Sequence, residues 1–311
     1  MVFADSRRNE MKKISLSLCL LLAFFVSGSE LSNSAQRQEK QNDFNGKSTV
    51  GSMPGKDVKA EMKEKGSNRK PTVLVSYNIH IGRGMDKIYN LSRTAAVLSK
   101  TGAETIVLNE VDAGTNRSNG DDQAACLAGI LKMNHVFGRA CDLPGGVYGN
   151  AVLSIHPIKR VALINLPANK RESRSALVVK ILAPRPYYII ATHFTNRQTP
   201  EMEMLRVQAV DLIAQHLRRE KWAPAVLCGD LNARHNSSTV RRLQEQGFTI
   251  VNDLSGRGLT FPADKPRVLL DYFCLYPENV ARICNFRILD EPFASDHRPI
   301  RTELIFNTAG N

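Results

Sequence analysis

AVLCGDLN, residues 225–232, is a short apolar run that ends on two polar residues, Asp230 and Asn232. An aliphatic run of this length, closed by polar groups, reads as a strand over 225–230 that delivers side chains to its end. Three other runs close in the same way. Asn78 ends VLVSYN (73–78), Glu110 ends TIVLNE (105–110) and His193 ends YYIIATH (187–193). Asp271 in VLLDYFCLY (268–276), and Asp296 with His297 in SDHRPI (295–300), instead stand near the starts of their runs. If the later strands run antiparallel to the earlier ones, all these groups gather at one edge of the fold. A single Asp or Asn after a strand is ordinarily a turn former or helix cap. So many together point to a site.

Further strands are expected over 147–154, 176–181 and 299–306, and helices over 91–100, 121–133, 201–220 and 238–246. In the longest helix, Met204, Val207, Val210, Leu212 and Leu217 are expected to pack on a sheet. Eight or more strands with only a few helices imply one α/β domain of two sheets faced by helices. The 311 residues are too many for a small disulfide scaffold. With 42% hydrophobic and 23% charged residues, the main body is neither a disordered chain nor a multi-spanning membrane protein.

The N-terminus reads differently. Arg7, Arg8, Lys12 and Lys13 precede an apolar run, 14–26, that ends at Ser27, Gly28 and Ser29. This is the pattern of a signal peptide, residues 1–30, with cleavage expected between Ser27 and Ala35 and export to the periplasm or outside the cell. The run falls short of the roughly 20 residues that span a bilayer, so no permanent transmembrane anchor is expected. Cys19 belongs to the leader's apolar core. Residues 31–70, polar and without period, read as a disordered linker; the folded domain, expected to be monomeric, follows over 71–311.

Lys and Arg number 42 against 30 Asp and Glu, a net charge of +12 that favours anionic partners. Nucleic acid, anionic lipid and small phosphate esters all satisfy that field. Beyond the leader stand Cys126, Cys141, Cys228, Cys274 and Cys284. An odd number leaves one thiol unpaired unless chains pair with each other, and the pairing of the rest is open. Cys228 and Cys274 lie in apolar runs and read as small buried hydrophobes. Without a CxxC or HExxH pattern, structural zinc is disfavoured. Glu110, Asp296 and Asn78 offer hard oxygens, which suit Mg²⁺, with Mn²⁺ as a substitute. His80, His135, His156, His216 and His235 read as core or surface residues, although His80 lies close enough to Asn78 to support it.

SYNIH, LNEVD, YGNAVLS, ATHF, GDLNA, LDYF and SDHRP occur in that order. Together they closely resemble the endonuclease/exonuclease/phosphatase superfamily, which includes pancreatic deoxyribonuclease, sphingomyelinases and inositol polyphosphate 5-phosphatases. GDLNA and SDHRP are the most specific parts. The resemblance spans 73 to about 306 and implies a four-layer α/β/β/α sandwich with two mixed sheets flanked by helices.

The resemblance also implies roles. Glu110, with Asn78 and Asp296, would hold a divalent cation on the scissile phosphate. Asp230 would orient or deprotonate the attacking water, and Asn232 would help hold that water or a phosphate oxygen. His297 would donate to a phosphoryl oxygen with Asp271 fixing its tautomer, and His193 would stabilise charge from the opposite side. Tyr148, Asn150 and Arg174 are candidates for phosphate contact. Asn109 stands where many relatives have Gln, and His193 has no evident carboxylate partner in the sequence.

The expected activity is therefore metal-assisted, in-line hydrolysis of a phosphodiester, which needs placement and charge relief more than a covalent nucleophile. The substrate could be a lipid head group, a small molecule or nucleic acid. A pI near 9.5 fits a secreted endonuclease, but 6% aromatic residues and one Trp give little to stack single strands. That balance favours the small or lipid-linked diester. A non-catalytic binding module of the same fold is the remaining alternative, and a gap in the Glu/Asp/His set would be its signature.

Overall fold

The computed structural model describes residues 69–169 and 172–307; the expected signal peptide and nearly all of the expected linker lie outside the described residues. Among the described residues, twelve strands form two six-stranded mixed sheets. The first sheet runs β11 (Ala281–Ile288), β12 (Ile300–Phe306), β1 (Thr72–Asn78), β2 (Thr105–Ala113), β4 (Gly146–Ser154) and β3 (Asn134–Leu143). The second runs β5 (Ile158–Leu166), β6 (Arg174–Ile181), β7 (Tyr187–Thr192), β8 (Ala225–Asp230), β10 (Asp271–Tyr276) and β9 (Thr249–Ile250).

Strand periodicity explains the layering. Alternate residues of one strand face opposite ways, and here both faces are covered. Leu74 and Val107 meet Ile189, Val226 and Phe273 in a core between the sheets. Their neighbours Val75, Ile106 and Leu108 face outward onto Ala95 and Leu98 of α1 (Leu91–Ser99) and Leu127 of α2 (Gln123–Leu131). On the other side, Ile190, Leu227 and Tyr272 pack under α3 (Pro200–Glu220) and α4 (Ser238–Glu245). The order helix, sheet, sheet, helix is the expected four-layer sandwich.

Two expectations are corrected. Met204 does not pack on the sheet; it is 55% exposed. The buried stripe of α3 instead runs through Met202, Arg206, Val210, Ile213 and Leu217. Arg206 is buried because its guanidinium donates to the carbonyls of Thr195 and Arg197, at 3.0 and 2.9 Å, and pairs with Glu203. It thereby fixes the loop that follows β7. The second correction concerns strands β3, β5, β9 and β11, which the sequence did not announce. Cys228 and Cys274 are buried thiols as expected, and all five described cysteines are free. No helix among the described residues is long and apolar enough to cross a membrane.

Candidate active site

β1 is parallel to β2, and β7 to β8, whereas β10 runs antiparallel to β8 and β12 antiparallel to β1. The condition for convergence is met. Asp271 lies opposite Asp230 in the β10–β8 register, and the turn before β12 reaches Asn78, whose carbonyl accepts from Ser295 Oγ at 2.7 Å. A cleft of about 700 Å³ opens at this edge, lined by Glu110, His193, Asp230, Asn232, Asp296 and His297 among others.

A β-bulge aims Glu110. Leu108 pairs with Ala151 and Val111 with Gly149, which leaves Asn109 and Glu110 against Asn150 alone. Glu110 adopts φ 57°, a left-handed conformation uncommon for a residue with a side chain. Such a distortion re-aims a side chain next to a site. Asn109, one residue earlier, is the tie behind it: its Nδ2 donates to Asn150 Oδ1 (2.7 Å) and Thr192 O (2.9 Å), and its Oδ1 accepts from Asp230 N (2.9 Å). One amide thus links β2, β4, β7 and β8. Gly229 makes the approach possible, because a Cβ there would collide with the Thr192 carbonyl and the Asn109 amide.

Asp230 is the hub. Its Oδ1 accepts from Asn232 N at 2.8 Å. Its Oδ2 meets Asn78 Nδ2 at 3.2 Å, His193 Nε2 at 3.4 Å and His297 Nε2 at 3.6 Å. Burial, helped by the Asp271 carboxylate, pushes Asp230 up to about 7 against the pull of His297. His297 Nδ1 lies 2.9 Å from Asp271 Oδ2. Burial would push this imidazole down, but Asp271 and Asp230 outweigh it and raise it to about 10.

His193 is the opposite case. Burial pushes it well below its usual value, and the nearby Arg174 and His297 push the same way. Arg174 Nη1 is 3.4 Å from its Nδ1 and Tyr148 Oη is 3.5 Å away. Its Nε2 lies 3.0 Å from Asn232 Nδ2 and 3.4 Å from Asp230 Oδ2. A guanidinium and an amide nitrogen can only donate, so the imidazole meets a donor at each nitrogen, an arrangement that suits an uncharged ring. The carboxylate nearest to it is Asp230. The Asn232 amide closes this corner, donating to Phe194 O at 3.1 Å.

Several sequence assignments move. Asn78 does not present an oxygen to the acids: its Nδ2 donates to Glu110 (3.3 Å) and Asp230 (3.2 Å), and its Oδ1 accepts from His80 N (3.0 Å). The reverse amide orientation would set oxygen against two carboxylates. In this arrangement Asn78 orients both acids through its amide nitrogen. Asn150 spends its amide on Asn109 and on Ser175 O at 3.1 Å, and is buried, so it does not face a phosphate. Tyr148 and Arg174 stand behind His193, with Arg174 paired to Glu172 at 3.0 Å. His80 Nδ1 is 3.7 Å from Asp296 Oδ1.

The acid end fits a hard cation. Burial and the Asp296 carboxylate raise the Glu110 carboxyl, and among the described residues no Arg or Lys is bonded to either acid. Such an anionic oxygen set suits Mg²⁺ or Mn²⁺. Asp230, Asp271 and His297 also bring one candidate ligand atom each within 4.8 Å of one another. There, however, the His297 ring already bonds Asp271 at 2.9 Å and pairs with Asp230 at 3.6 Å, and in its protonated form it has no lone pair to give. The sequence reading did not single out Asn196, Gln198, Arg234, Phe261 and Arg267, which line the rest of the cleft. Arg234 follows GDLNA directly; the others lie in loops that carry no pattern.

The endonuclease/exonuclease/phosphatase family profile matches residues 75–297. The chain belongs to this family. Family members are phosphoester hydrolases. The uncharacterized protein YbhP of Escherichia coli (strain K12) is 23% identical over 184 residues, 57% of this chain and 71% of YbhP. A family structure from Beutenbergia cavernae superposes with a TM-score of 0.64 at 22% identity, covering 78% of this chain and 73% of that one. The human nocturnin catalytic domain, solved with bound sulfate, gives 0.58 at 17% identity over 76% of this chain and 94% of that domain. These likenesses establish the shared fold.

Proposed function

We propose that the protein is an exported, Mg²⁺-dependent phosphodiesterase, with Mn²⁺ able to substitute, acting on a lipid head group or another small phosphodiester. The observation that carries this reading is the single carboxylate oxygen of Asp230 held between a charged and a neutral imidazole, beside a separate pair of acids. Glu110 and Asp296 would hold the ion. When bound, it supplies Lewis-acid relief of phosphate charge. Asp230, poised near neutrality, accepts the proton of the attacking water, and Asn232 helps place that water. His297 donates to a phosphoryl oxygen as charge builds, with Asp271 sustaining its positive form. His193 contributes a neutral imidazole and not a cation.

The cleft volume lies within the range of small-ligand sites, which supports a small diester. Export rests on the basic residues before the apolar run 14–26 and the small residues after it. The test is turnover by the mature protein with Mg²⁺ on bis(p-nitrophenyl) phosphate, p-nitrophenyl phosphate, glycerophosphodiesters, phospholipid vesicles and supercoiled plasmid. Hydrolysis of the diesters ahead of the monoester is expected; no turnover on any of them would overturn the proposal.

A further inference from the structure

Arg234 and Arg267 line the cleft and are exposed, and neither guanidinium has a hydrogen bond or ion pair among the described residues. The neighbouring arginines differ. Arg174 is paired with Glu172, Arg117 with Asp112, and Arg298 with Asp290 and the Ala263 carbonyl. Arg234 follows β8 and Arg267 precedes β10, adjacent strands of the second sheet, whereas Glu110 and the turn carrying Asp296 belong to strands of the first. The cleft therefore carries acids from both sheets, Glu110 and Asp296 from the first and Asp230 from the second, while its unpaired arginines come from the second sheet alone.

The basic wall is joined to the reacting groups. Phe261 stands 4.9 Å from the His297 ring, centroid to centroid, and its carbonyl accepts from Arg267 N at 2.7 Å. Gln198 Nε2 donates to Asn232 O at 2.9 Å, beside Arg234 two residues on. Arg234 and Arg267 thus flank the two residues, His297 and Asn232, that would touch the scissile group. Like charges held free in a cleft that also carries opposite charge favour a ligand with its own separation of roles. A phosphate dianion offers oxygens in the geometry that guanidinium donors match.

We infer that Arg234 and Arg267 form a second anion subsite, and that the substrate is a small phosphodiester bearing another phosphate near the scissile one. This rests on the phosphodiesterase reading above. An extended single strand would call for a longer basic track with more rings than Phe261 alone provides.

The test compares glycerophosphoinositol with glycerophosphoinositol 4-phosphate, and phosphatidylinositol with its 4-phosphate in vesicles. The wild type should prefer the phosphorylated member by about tenfold or more in kcat/KM, as expected of charge-assisted hydrogen bonds. Preference in the soluble pair or in the vesicle pair supports the subsite and identifies its source. In the double variant Arg234→Gln, Arg267→Gln that preference should collapse towards unity. Binding is measured separately by calorimetry, with alkanediol bisphosphates of increasing length against the matching alkyl monophosphates. A bisphosphate advantage lost in the folded double variant supports the subsite even if no diester is turned over, which would remove only the phosphodiesterase reading. Equal affinity for mono- and bisphosphates, or a preference that survives in the double variant, would overturn it, as would a preference for plasmid over every small diester.

Discussion

His193 and His297 both approach one carboxylate oxygen, at 3.4 and 3.6 Å, yet one is held neutral and the other cationic. Both are buried. What separates them is the group at the far nitrogen: His297 Nδ1 meets the Asp271 carboxylate, and His193 Nδ1 meets the Arg174 guanidinium. Burial lowers both imidazoles, and only the carboxylate reverses it. Two chemically identical side chains are thereby set in different states, one a cationic donor and one a neutral ring.

The largest expected effect removes the charged member. His297→Ala should lose about 10²–10³ in kcat, the usual worth of one preorganised donor. Asp271→Asn should lose less, because the amide can still hold the ring but cannot sustain its charge. A carboxylate acting only through that ring adds little once the ring is gone, so the double variant should match His297→Ala. Multiplicative losses in kcat/KM across this set would show that Asp271 acts independently. His193→Asn should cost about tenfold in kcat, since a hydrogen bond to a neutral ring is roughly half as strong as one to a charged ring. A loss as large as that of His297→Ala would break the contrast.

The smallest effect is on stability. An unfolded histidine titrates near 6.5, whereas His193 in the fold is held well below it. As pH falls below 6.5 the unfolded chain takes up a proton that the folded chain refuses. Stability should therefore drop by up to about 1.4 kcal/mol per pH unit until the lowered native value is reached. Urea unfolding of wild type and His193→Asn at pH 7 and pH 5.5 reads the difference: the variant should show the shallower loss, and identical losses would mean that His193 is charged in the fold.

The legible part of the sequence was the part buried on both faces. All eight strands read from apolar runs are interior to their sheets, and all four that were missed, β3, β5, β9 and β11, are the sheet edges. Edge strands are half solvated, and ARICNFRI in β11 alternates with charge where a core strand would stay apolar. The same limit applied to the site. The ends of apolar runs singled out Glu110, His193 and Asp230, and the starts Asp271 and His297, because the apolar pattern breaks where the chain reaches the cleft; the strand of Glu110 itself goes on through the bulge to Ala113. A sequence cannot tell which atom of an amide points inward, so Asn78 and Asn150 were placed by type and moved by their partners. Asn109 was read as a substitution, whereas its three hydrogen bonds make it the tie between the sheets.

Hydrolysis assisted by a cation at Glu110 and Asp296 stands or falls on metal depletion. Turnover of bis(p-nitrophenyl) phosphate by the mature protein should vanish after exhaustive chelation and return with Mg²⁺ or Mn²⁺. Glu110→Gln, which empties no core, should unfold at nearly the temperature of the metal-free wild type and regain little activity with either ion. Full turnover after chelation would contradict the claim.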